Sequence, residues 1–156
     1  MMEHLVLAIL AALVLSVQAP VQEPFLIPEP ESREARLLFT ATSVDDAAVG
    51  IAAVRTERYK AFESLWKQGE SARSDVDRLV AGATPAGRVY GLLLLENLDP
   101  KAAARAADGM KNSTERVSVM QGCLGMEHSL AELAARIVRG GHVIVKPDLA
   151  VPPRVS

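Results

Sequence analysis

A chain of 156 residues with a formal net charge of −2 has no basic excess to attract nucleic acid, and its Lys and Arg are scattered rather than clustered. Aromatic residues make up only 4% while Ala and Leu abound, which argues against a strand-rich sandwich or barrel and for a mostly α fold. A lone cysteine, Cys123, excludes an intramolecular disulfide. Flanked by Gly122 and Leu124, it is expected to be a small buried hydrophobe, and packing alone must hold the fold.

In chain order, Leu5 to Val17 is a continuous apolar run with the length of a signal-peptide h-region, shorter than the roughly 20 residues that span a bilayer. Residues 1–19 are therefore expected to be a signal peptide cut after Val17-Gln18-Ala19, or an anchor that remains, with membrane contact only in the second case. Pro20, Pro24, Pro28 and Pro30 make 20–32 an extended, Pro-rich linker, within which Phe25-Leu26-Ile27 can dock on the domain that follows. That domain is expected to run from 33 to 146.

Ala35, Leu37, Leu38 and Phe39 open a helical pattern, and Ser43 with Asp46 three residues on resembles a capping box for a second helix reaching Ala53. Tyr59, Phe62 and Trp66 then share one helical face over Thr56 to Gln68, with Gly69 as a stop, and Ser71 to Ala81 carries the next apolar stripe. Thr84 and Pro85 are an N-cap and first helical residue in front of Val89, Tyr90, Leu92, Leu93, Leu94, Leu95 and Leu98. Those residues cover nearly the whole helix circumference, so this helix must be surrounded by others. Asp99 and Pro100 repeat the start signal before a narrow Ala stripe ending at Met110. Val117 to Met120 alternates like a short strand, Ser129 and Glu132 cap a last helix with its face on Leu130, Leu133, Ala134, Ile137 and Val138, and His142 to Lys146 has β character suited to pairing with Val117 to Met120. Residues 147–156 read as a mobile tail. The expected architecture is a compact stack of short antiparallel helix hairpins around a buried central helix, with room for a minor two-stranded β element.

Chemistry is sparse. Gly82 to Val89 has the glycine spacing of a phosphate-binding loop, but Arg88 and Val89 stand where Lys and Ser or Thr are needed, and a helix start explains the stretch. Cys123, Met126 and His128 form the one local group of soft ligands, suited to copper(I). Cys123 with His128 also offers a nucleophile and base for a cysteine hydrolase. Asp45-Asp46 and Asp75-Val76-Asp77 are expected to place negative charge at helix N-termini. Asn112-Ser113-Thr114 matches a glycosylation sequon in a polar loop.

The segment from Ala83 through Leu98-Asp99-Pro100, followed by Val119-Met120-Gln121-Gly122-Cys123, resembles uncharacterised exported bacterial proteins of HEAT-like helical character. That resemblance implies a helical fold and export, with no catalytic residues to transfer. The expected function is a non-enzymatic, exported protein-binding or scaffold module of the cell envelope, without cofactor, whose partner is another protein. The alternatives are a soft-metal protein using Cys123, Met126 and His128, and a cysteine-dependent hydrolase.

Overall fold

The structure is a computed structural model that describes residues 27–147. The expected signal or anchor segment, the linker up to residue 26 and the tail from residue 148 lie outside the described residues. In order the chain forms α1 (Arg33–Phe39), β1 (Ser43–Val49), α2 (Glu57–Gln68), a short 3-10 turn, α3 (Arg73–Gly82), α4 (Pro85–Leu98), α5 (Pro100–Met110), β2 (Arg116–Gly122), β3 (Leu124–Ser129) and α6 (Leu130–Val138). It is mostly helical, as expected, but its β part is a three-stranded mixed sheet where at most a minor two-stranded element was expected, so the domain is not simply a stack of helix hairpins.

The helix starts follow their capping residues. Ser32, Thr56, Thr84, Asp99 and Ser129 each accept a backbone N–H three residues on, from Ala35, Tyr59, Gly87, Ala102 and Glu132. Gly69, at φ +58°, ends α2. Thr84 does more than cap: its hydroxyl donates to the Ala41 carbonyl at 2.6 Å and its amide to the Phe39 carbonyl at 3.0 Å, which ties the end of α1 to the start of α4.

Helix α4 is the centre, packed against α1, α2, α3, α5, α6 and both β1 and β2. Val89, Tyr90, Leu92, Leu93, Leu94 and Leu95 are all buried. Gly87 and Gly91 lie one turn apart on α4, and each marks a close approach. A Cβ on Gly91 would stand 2.9 Å from both Leu79 Cβ and the Val80 nitrogen of α3, and one on Gly87 would collide with the Leu38 carbonyl oxygen of α1.

Where a helix was expected over Ser43 to Ala53, the chain is strand β1. Ser43, Val44 and Asp45 pair in parallel with Ser118, Val119 and Met120 of β2, and a β-type partner across a long crossover overrides the local capping pattern. Asp45 and Asp46 therefore sit on a strand and not at a helix N-terminus. Strand β2 extends beyond the expected Val117 to Met120 and pairs with β3 in antiparallel fashion. His142 to Lys146 joins neither: it is irregular, buries Val143 and Ile144, and touches β2 through the Gln121 amide, which donates to the Val143 carbonyl at 2.7 Å. The sheet order is β1-β2-β3.

The described end of the linker is docked. Ile27 lies against Gly82, Pro30 is buried, and Asp75 accepts the Glu31 and Ser32 amides at 2.7 and 3.0 Å. Burial raises the Asp75 carboxyl, but hydrogen bonds from Ser32 and Glu31 and the nearby Arg78 outweigh it and hold the group below its ordinary value. A folded-state value below the unfolded one means that the contribution is complete above about pH 4 and is lost as pH falls through the lowered value. Asp75→Ala is expected to cost about 2 kcal/mol at pH 7, and denaturant titrations should show the gap to wild type closing toward pH 3.

Candidate functional site: the β2–β3 hairpin and its exposed end

A two-residue turn, Gly122-Cys123, joins β2 to β3, since Gln121 pairs with Leu124. Glycine at the first turn position, at φ +54°, gives the turn a hand that matches the strand twist. Cys123 thus stands exposed at the hairpin tip and not in the core, because the turn points away from the helices. Leu124, Met126 and His128 alternate along β3 and share a face with Val117 and Val119, which are buried. The helices do not reach the tip, so Leu124 is 68% exposed and Met126 37%.

The three residues singled out from sequence are spread from the hairpin turn along β3. At about 3.3 Å per residue, Cys123 and His128 lie roughly 15 Å apart, with Met126 between them. His128, at the far end of β3, is engaged by α6: its Nδ1 is 3.2 Å from Glu132 Oε1, which Arg136 also holds at 2.7 Å. The His128 hydrogen bond, with Arg136 assisting, keeps the Glu132 carboxyl below the usual carboxylate range. Along the extended β3 the His128 imidazole stays far from the Cys123 thiol, and among the described residues no three His, Cys, Asp or Glu side chains converge. A thiol reagent such as dithionitrobenzoate should label the exposed Cys123 in the folded state, and His128→Ala should leave the labelling rate unchanged.

The hairpin tip meets a second exposed turn. The Gly50 amide donates to the Gly122 carbonyl at 2.8 Å, which brings the loop after β1 alongside, with Ile51 99% and Val54 55% exposed. Ile51, Val54 and Leu124 therefore gather at one end of the sheet. Further along, a pocket of about 460 Å³ opens between Leu93 and the segment Gly140 to Lys146. Its one cationic amine, Lys146 Nζ, is bound to Glu96 at 3.0 Å and lies 5.9 Å from the Trp66 ring centre.

Sequence reasoning missed the polar cluster on β1. The Asp45 carboxylate, 1% exposed, accepts from Ser43 Oγ at 2.7 Å and from Arg58 Nε at 2.9 Å. The Asp45 amide donates to the Tyr90 hydroxyl at 2.7 Å, and burial pushes the Tyr90 phenol well above its ordinary value. Asp46 accepts the amides of Ala47 and Val145, both at 2.7 Å, while the Tyr59 hydroxyl donates to the Val145 carbonyl at 2.8 Å. Burial raises the Tyr59 phenol to about 12. Both tyrosines stay protonated near neutral pH, and the cluster fastens β1 and the 142–146 segment. The one advance signal was a pair of adjacent aspartates set among the Val and Ala of residues 44–49.

No family model matches the chain, and comparisons with curated proteins and with solved structures find no match.

Proposed function

We propose that this chain is a non-enzymatic, exported protein-binding module of the cell envelope. The observation that carries the reading is the group of Ile51, Val54 and Leu124, large apolar side chains left in water at one end of the sheet. Such side chains gain free energy only when another surface covers them, and the polar groups nearby are committed to holding the fold. The apolar run Leu5 to Val17 supports export. The copper alternative needs Cys123, Met126 and His128 to converge and the hydrolase alternative needs His128 beside Cys123, and their spread from the hairpin turn along β3 counts against both. Among the described residues no helix is long and apolar enough to cross a membrane.

The test is site-specific photo-crosslinking in the native host. A benzophenone side chain at Ile51 or Leu124 should give a discrete protein adduct, while the same group at exposed Lys101 of α5 should give none. Equal, diffuse labelling from all three positions would overturn the reading.

A further inference from the structure

A three-stranded sheet has two edges, and here they are treated differently. The β1 edge is closed by side chains: the Tyr90 hydroxyl takes the Asp45 amide and the Asp46 carboxylate takes the Ala47 amide. Strand β3, the other edge, has no such cover among the described residues. It runs six residues in unbroken register, with no Pro, no Lys and no bulge, the usual devices that blunt an edge.

Its hydrogen-bonding phase can be read directly. The Leu130 amide donates to the Glu115 carbonyl at 2.8 Å, so pairs of that parity exchange hydrogen bonds with β2: Val117 with His128, Val119 with Met126, Gln121 with Leu124. Gly125 and Glu127 therefore turn their N–H and C=O groups outward.

From this phase we infer that β3 pairs with β3 of a second copy, antiparallel about a two-fold axis at Met126, making a continuous six-stranded sheet. This rests on the reading of the chain as a protein-binding module and names one of its partners. Of the neighbouring two-fold registers that keep this phase, an axis at Glu127 would set the two carboxylates face to face and an axis at Gly125 would draw the turn residue Cys123 into the pairing. Gly125 of each copy exchanges both hydrogen bonds with Glu127 of the other, using every outward group of the two residues. Glu127 faces a residue without a side chain, so the two carboxylates do not oppose each other, and each keeps its own Arg116, at 4.0 Å. Met126 opposes its symmetry mate across a wide pair, where side chains approach closest, and Leu124 lies across from His128, so the exposed apolar atoms of the two strands cover one another. An isologous contact of this kind closes at two copies.

The register makes a sharp prediction for disulfide trapping in the full-length chain. The two Cys123 thiols lie at opposite ends of the paired strands, about 20 Å apart, and cannot bridge. In a Cys123→Ser background, Met126→Cys places two Cα atoms about 4.5 Å apart and should give a covalent dimer under mild oxidation, while Glu127→Cys should not. Met126→Lys, which sets two like charges face to face, should raise the dimer dissociation constant in sedimentation at least about tenfold with unchanged circular dichroism. Equal trapping from positions 126 and 127, trapping through wild-type Cys123, or a monomer at every concentration would overturn the pairing. If self-pairing fails while crosslinking from Ile51 or Leu124 still yields a discrete foreign protein, only this inference falls; if both fail, the binding-module reading falls with it.

Discussion

Arg58→Ala is expected to destabilise the fold by about 3 kcal/mol, because it leaves the Asp45 carboxylate buried without its cation. Asp45 is 1% exposed and retains only the Ser43 hydroxyl as a side-chain donor once the guanidinium is gone. The charge cannot move into water without pulling β1 out of the sheet, since the same residue's amide is held by Tyr90. Removing both charges tests the cause: Arg58→Met with Asp45→Asn should recover much of the loss, because the double variant has no uncompensated charge. Urea titration of the two single variants and the double variant measures the coupling. Additive losses would mean that Arg58 contributes through its aliphatic stem alone.

Leu92→Ala is expected to cost about 3–4 kcal/mol, the largest effect of any single truncation considered. Leu92 is fully buried in α4, and α4 is surrounded on several sides, so its neighbours cannot close the cavity without parting from other contacts. The control is in the same protein: Leu124→Ala at the hairpin tip removes the same atoms from a side chain 68% exposed and should change stability by no more than about 0.5 kcal/mol. Thermal or chemical denaturation of the pair separates core leucines from those left for a partner.

What the sequence revealed of this fold was local. Thr84-Pro85, Asp99-Pro100 and Ser129 with Glu132 announced helices because their caps act within one turn, and the structure has all three. The leucine-rich circumference of α4 likewise implied a buried helix, since no single apolar face could be found. Ser43 to Val49 misled because its strand character depends on β2, more than seventy residues away, while its capping-box pattern is visible at once. Gly87 looked like part of a phosphate loop and Gly91 gave no signal, whereas their use is to admit the α1 carbonyl and the α3 backbone.

The candidate site was partly legible. Cys123, Met126 and His128 drew notice for their chemistry, and they do lie on one hairpin. A strand holds such residues far apart where a loop or helix turn could gather them, so the region presents an edge and an apolar end in place of a ligand cage. Neither the exposure of Cys123 nor the phase of β3 follows from composition, because both depend on which pair closes the turn. The Asp45, Arg58 and Tyr90 cluster was hidden for a similar reason: its three members come from β1, α2 and α4.

The most direct measurement is residue-resolved amide hydrogen exchange of the full-length chain across a range of protein concentrations. The account predicts slow exchange at Met126, which faces β2, and at Asp45, which faces Tyr90, at every concentration. Gly125 and Glu127 should exchange rapidly in dilute solution and become protected together as concentration rises. Protection of both at the lowest concentration would mean that the β3 edge is already covered within one chain, and rapid exchange of both at the highest would mean that no second copy pairs there; either result contradicts the account.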